Sequence, residues 1–167
     1  MLSKWSFKGI LKEVVTTLLL FFIISIVINY IRKPDVNEDI YSLKLTDISG
    51  KLLEMNSYKK EPLVVHFWAT WCPTCKLEAP NIGRISKKYN VITIAVNSGS
   101  NEKIEVFMKE HELDYRVVND KSGSLANRFG IEAYPTTLIY DKDGKLKFTE
   151  VGYSTTLGLQ ARLQLSN

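Results

Sequence analysis

Cys72 and Cys75 are the only cysteines in this 167-residue chain, and they stand two residues apart in HFWATWCPTCKLEAP, His66 to Pro80. Such a pair can share a metal, staple the chain, or cycle between dithiol and disulfide. A structural zinc or iron–sulfur site wants about four soft ligands. The chain adds only His66 and His111, the latter among charges in KEHEL, and neither supplies the second half of such a site. Covalent haem attachment needs a histidine directly after the second cysteine, where Lys76 stands. A disulfide closing so short a loop removes little freedom from the unfolded chain, so a staple is a poor use of the spacing. The reactive dithiol is the reading the residues favour.

Positioning that pair takes a strand, a turn and a helix. PLVVHFWA (Pro62–Ala69) and VITIAV (Val91–Val96) are runs of strand length, apolar on both faces, which predicts central strands of a covered, mostly parallel sheet. Cys72 to Tyr89 reads as a helix with Ala79, Ile82, Ile85 and Tyr89 inward, and Pro80 predicts a kink within it. Cys72 then falls at the N-cap and Pro73 at the first helical position, where a missing N–H costs nothing. The free amides and the positive end of the helix dipole favour a thiolate there, making Cys72 the attacking sulfur and Cys75 the resolving one.

The remaining pattern is of the same kind. SLKLTDISGKLLEM alternates around Asp47–Gly50 and predicts a hairpin. Asn101–Glu112 reads as an amphipathic helix with Ile104, Phe107 and Met108 inward, and DYRVVN as a short strand. SGSLANRFG is a second helix, capped by Ser122 or Ser124 and stopped by Gly130. PTTLIYDKDGKLKFTEVG is a hairpin turning at DKDG, and Thr155–Leu165 a closing helix. The order predicts one α/β domain with a mixed sheet, residues 42–167.

Ahead of it, VVTTLLLFFIISIVINYI, Val14 to Ile31, would make a helix about 27 Å long, close to the hydrocarbon thickness of a bilayer. No small-x-small cleavage site follows it, and it has no polar face to mark it as a core helix. It reads as an uncleaved transmembrane anchor within residues 1–33, joined by a polar linker, 34–41. Lys4, Lys8, Lys12, Arg32 and Lys33 against Glu13 account for the whole formal charge of +4. The remainder holds 17 basic and 17 acidic residues, and no basic stripe is left to bind nucleic acid. The charges flanking the span favour a cytoplasmic N-terminus, which puts the domain in an oxidising compartment.

FWATWCPTCKLEAP resembles the active-site stretch of thioredoxin-fold proteins, and AYPTTLIYDKDGKL resembles their second motif. The segment Asn97–Asn119, together with CKLEAP, resembles the central insertion of one branch, the membrane-anchored TlpA/ResA-like thiol–disulfide proteins of bacteria. The short anchor, VVND, PTTLIY and GYSTTLGLQARL look most like the ScsD type, linked to copper tolerance. The likeness spans about residues 40–165. It implies a thioredoxin-like fold, a cis peptide at Pro135 beside the dithiol, a Tyr134 backbone offered to an incoming peptide, and Trp71 shaping the docking surface.

One departure from the pattern is His66, where thioredoxin carries a buried aspartate. A histidine there would accept the Cys75 proton, stabilise a thiolate if charged, or simply be a core residue. Glu78, one turn after Cys75, either places a carboxylate near the dithiol, raising thiol pKa values, or is a solvated helix residue. Pro73 and Thr74 between the cysteines help set the potential. The expected function is thiol–disulfide exchange with protein substrates in the periplasm. The chain would be a monomer in the bacterial inner membrane, without metal or organic cofactor, acting as a reductase recharged by a membrane electron-donor protein. The alternatives are a disulfide-forming oxidase, a Cu(I)-binding thiol protein and a peroxiredoxin-like peroxidase.

Overall fold

The structure is a computed structural model that describes residues 7–31, 34, 36 and 38–166, with the side chains of the first helix described in part. It divides into two units, residues Met1–Lys33 and Pro34–Asn167. The first contains one helix, α1 (Phe7–Ile31), whose described apolar side chains, such as Leu18, Leu19 and Phe21, are exposed. Among the described residues, no helix is long and apolar enough to cross a membrane. Within α1 the side chains of residues 7–10, 22, 25, 26 and 28–31 lie outside the described residues. So do the expectations placed on Lys4, Arg32 and Lys33 and on linker positions Asp35 and Asn37.

The second unit is built on a five-stranded sheet ordered β5-β4-β3-β6-β7. The strands are β3 (Leu63–Trp68), β4 (Asn90–Val96), β5 (Arg116–Asp120), β6 (Thr136–Tyr140) and β7 (Leu146–Val151). β3 pairs parallel with β4, and β4 with β5; β3 pairs antiparallel with β6, and β6 with β7. The sheet is therefore half antiparallel rather than mostly parallel. The final hairpin and helix, PTTLIY onward, return the chain beside β3 in the opposite direction.

Every residue of β3 is buried, which explains its unbroken apolar run. Val65 and Phe67 face one side, with Leu125 and Ala126 from α4 (Ser124–Arg128), Phe129 just after it, and Leu53 and Met55. Val64 and Trp68 face the other. There Val64 meets Ile82 and Ile85 of α2 (Pro73–Ser86) and Leu159 and Leu163 of α5 (Thr156–Gln164). Trp68 meets Ile104, Phe107 and Met108 of α3 (Asn101–Glu110) and both cysteines. Helices thus cover both faces, and the dithiol is walled by the α3 cluster.

A hairpin of β1 (Lys44–Thr46) and β2 (Leu52–Glu54) turns at Asp47–Gly50, where Gly50 takes the left-handed φ of +86°. The Ile48 N–H donates to the Val117 carbonyl, so this turn covers part of the open edge of β5. The segment read as linker is partly core, since Ile40 and Tyr41 are buried against it, and the packed unit begins before residue 42.

Three boundaries differ from the sequence reading. α2 continues through Pro80 but ends at Ser86, short of Tyr89, and α3 stops at Glu110, with Glu112 left-handed at φ +52°. α4 is preceded by Gly123 at φ +74°, not by a serine cap. Its capping acceptor comes from the end of β5: Asp120 Oδ2 accepts the Ala126 N–H at 2.8 Å, and Oδ1 accepts the Ser124 hydroxyl at 3.4 Å. Asp120→Ala is expected to lower the unfolding free energy by about 2 kcal/mol in urea titration. Ser122→Ala, at an exposed position that caps nothing, should change it by less than about 0.5 kcal/mol.

Candidate functional site

The peptide leaves β3 through Ala69–Trp71 and turns into α2 at Cys72, whose extended backbone (φ −86°, ψ 115°) makes it the N-cap. Pro73 occupies the first turn. The two sulfurs are joined as a disulfide, with Cα atoms 5.2 Å apart. The Cys75 N–H donates to Cys72 Sγ at 3.2 Å, so a free amide of the helix start is already aimed at the sulfur that would carry charge. Both sulfurs are largely buried, Cys75 more completely, while Pro73 is exposed and Thr74 half-exposed.

Opposite Cys72 lies the turn into β6. The Tyr134–Pro135 peptide is cis, and the Tyr134 carbonyl oxygen is 3.7 Å from Cys72 Sγ. Trp71 is 58% exposed, yet it is held: its Nε1–H donates to the Asn97 carbonyl at 3.2 Å, and its ring meets that of Tyr134 edge-on at 5.9 Å. Trp71, Cys72, Tyr134 and Pro135 are therefore one patch. Neither histidine adds a ligand to it. His111 stacks on Phe107, and among the described residues no three His, Cys, Asp or Glu side chains gather as a metal site.

His66 is buried in the middle of β3, opposite Thr93 on one side and Thr137 on the other, and its Nδ1 lies 2.9 Å from Thr137 Oγ1. Burial pushes the imidazole down to about 3, which keeps it neutral at physiological pH. This argues against both chemical roles considered for it: it is not an imidazolium that would hold a thiolate, and it is too weak a base near pH 7.

Glu78 is not a solvated helix residue. It is completely buried, its Oε1 accepts the Ser154 N–H at 3.0 Å, and its Oε2 has no protein partner. Burial raises its carboxyl to about 7, against the lowering effect of the Ser154 bonds. Its charge is close enough to Tyr115 to add to the upward shift that burial gives that phenol. Three turns of α2 thus carry Cys75, Glu78 and then Asn81, which hydrogen-bonds the same Ser154. Asn81 and Ser154 were missed from sequence. The available signal was the i, i+3 spacing of Glu78 and Asn81 on one helical face.

A sulfur held this way serves exchange between thiols and disulfides, and the class that fold and site define is the thioredoxin-like thiol–disulfide oxidoreductases. The family model described as AhpC/TSA matches residues 36–149, and the chain belongs to that family, in its TlpA/ResA-type thioredoxin-like branch. A thioredoxin-like protein of Haemophilus influenzae is 30% identical over 158 residues, covering 93% of this chain and 94% of that protein. The thiol-disulfide oxidoreductase ResA of Bacillus thuringiensis is 30% identical over 119 residues, 69% of each chain. Among solved structures, the exposed lipoprotein thioredoxin Etrx1 of Streptococcus pneumoniae superposes with a TM-score of 0.64 at 29% identity. It covers 74% of this chain and 98% of that one.

The two buried titratable groups give opposite pH dependences. Between 6.5 and about 3 the unfolded chain protonates His66 and the folded chain does not, so stability falls as pH drops through that window. Between 4.5 and about 7 the folded chain keeps the Glu78 proton that the unfolded chain has released, so stability falls as pH rises. Glu78→Gln should therefore unfold later than the parent at pH 8, by at most about 3 kcal/mol, and match it below pH 4.5 in denaturant titrations. His66→Asn should leave the pH midpoint of Cys72 alkylation by iodoacetamide unmoved; a displaced midpoint would restore the proton-relay role.

Proposed function

We propose that this chain is a membrane-anchored reductase of protein disulfides outside the cytoplasm, with Cys72 attacking and Cys75 resolving. The observation that carries this is Cys72 Sγ at the start of α2, bonded to Cys75, receiving its N–H and facing the Tyr134 carbonyl. In the reduced protein the Cys72 thiolate attacks one sulfur of a substrate disulfide, forming a mixed disulfide and expelling a substrate thiolate. Cys75, losing its proton, attacks Cys72 Sγ and releases the second substrate thiolate. The substrate gains two electrons and two protons; the protein is left as the Cys72–Cys75 disulfide.

The substrate segment lies over the Trp71–Tyr134 pair, along the backbone at Pro135, where exposed aromatic surface and the Tyr134 carbonyl facing Cys72 meet. The reductase direction is the one these electrostatics favour. A carboxylate one turn beyond Cys75 raises thiol pKa values when ionised, and the neutral His66 offers no compensating cation. An ionised carboxylate there disfavours the thiolate, lowers the potential and favours electron donation. Pro73 and Thr74 contribute through the helix start they build. The disulfide formed must be reduced again, and a membrane electron-donor protein is the partner that fits an anchored domain.

The anchor reading rests on the 25 residues of α1 and the uncharged run Val14–Ile31, with the domain on the periplasmic side of a bacterial inner membrane. Replacing Cys75 by alanine in cells should accumulate mixed disulfides through Cys72, resolved by non-reducing electrophoresis and identified by mass spectrometry. The Cys72→Ala, Cys75→Ala double variant should trap none. An empty trap from the single variant would sink the mechanism.

A further inference from the structure

Asn81 lies buried on α2, one turn beyond Glu78, and its side-chain amide is fully used. Nδ2 donates to the Ser154 carbonyl at 2.9 Å and to the Tyr153 hydroxyl at 3.1 Å. Oδ1 accepts from Thr156 Oγ1 and from Arg84 Nη1, both at 3.0 Å. Two donors and two acceptor lone pairs are all that an asparagine side chain offers. Four satisfied bonds leave it one orientation.

What it grips is the loop between β7 and α5. Ser154 is held at both of its own backbone polar groups, N–H by Glu78 and C=O by Asn81. Two residues earlier, Gly152, left-handed at φ +92°, donates its N–H to the Pro135 carbonyl at 2.8 Å. The residue before Pro135 presents the carbonyl that faces Cys72 Sγ. The bonds form a closed circuit: from the dithiol along α2 to Asn81, across to Ser154, back through Gly152 to the cis-proline segment, and so to Cys72.

We infer that Asn81 is a positioning residue for the exchange reaction. Through the Gly152–Thr156 loop it holds the Tyr134–Pro135 backbone at the distance from Cys72 that a polypeptide disulfide requires. The inference rests on the dithiol reading above. It touches no reacting atom, so its effect falls on docking of a chain and not on the intrinsic reactivity of the sulfur. Asn81→Asp keeps the shape but turns a charged oxygen toward the Ser154 carbonyl; Asn81→Ala leaves that carbonyl and Thr156 without their partner.

The test uses the full chain in detergent micelles, reduced, desalted and mixed in single turnovers with two oxidants. One is insulin, a polypeptide disulfide that must dock; the other is dithionitrobenzoate, a small aromatic disulfide that need not. Asn81→Ala and Asn81→Asp should raise the half-saturating insulin concentration about tenfold, equivalent to about 1.4 kcal/mol. The limiting rate and the dithionitrobenzoate rate should stay within about twofold, a change of less than half a kcal/mol. Thr156→Val, which removes one of the four bonds, should shift insulin binding in the same direction by a smaller factor. It serves as the reading if the Asn81 variants fail to fold. Equal losses with both oxidants, or no change with either, would overturn the inference. A parent protein that reacts with neither oxidant would instead overturn the dithiol reading itself.

Discussion

The structure depends on one arrangement: a sulfur at the first turn of a helix, receiving that turn's N–H, in a setting that is dry on one side and open on the other. Cys72 meets this because β3 ends directly beneath it and Pro73 starts the helix without an amide to spare. Trp68 and the α3 side chains close the interior side. Trp71 and Tyr134 border the outer side without covering it. A thiolate in water gains little from a helix start, while one at a partly buried helix start gains more because the surrounding dielectric is lower. The helix start therefore acts more strongly on this sulfur than it would on one in water.

The same dryness governs the two titratable groups beneath the site. Burial favours the neutral form of each, and it moves them in opposite directions: an imidazole down, a carboxyl up. His66 is settled by Thr137 across the β3–β6 ladder and stays a neutral core side chain. Glu78 is left near neutrality, with one oxygen bonded and the other free of protein partners. Of the two, only Glu78 has a pKa near neutrality, and it lies one turn from Cys75 on α2.

Much of this was legible in the sequence. The cysteine pair, the cap position of Cys72, the apolar strands and the final hairpin are local patterns, written in adjacent residues or in periods of two and 3.6. The likeness of AYPTTLIYDKDGKL to a known motif implied the cis peptide at Pro135. What stayed hidden depends on partners far away in the chain. Glu78 by type reads as surface, and its burial is decided by Ser154, 76 residues on. Asn81 is unremarkable until residues 153–156 return to it. The cap of α4 comes from Asp120 on a neighbouring strand, where serines in the loop made the obvious local choice. Ile40 and Tyr41 sit in a polar stretch that composition assigns to a linker, and only the core they fill reveals them.

The site is assembled from two halves of the fold that are distant in sequence. The β3–α2–β4 half carries the dithiol, and the β6–β7–α5 half carries the Tyr134–Pro135 backbone. Two sets of bonds join them. The β3–β6 ladder, with Phe67 opposite Thr136 and His66 opposite Thr137, fixes how far the cis-proline turn reaches along the strand toward Cys72. The α2 bonds from Glu78 and Asn81 to Ser154 fix how closely that half approaches the helix. A ladder between fully buried strands resists sliding, because a one-residue slip would turn every side chain to the wrong face. The contact with the loop has no such protection: it rests on a few hydrogen bonds, one of them to a carboxyl that titrates near pH 7. The sheet therefore holds the sulfur and the proline in register, while the α2–Ser154 bonds tie the loop before α5 to the helix that carries the cysteines.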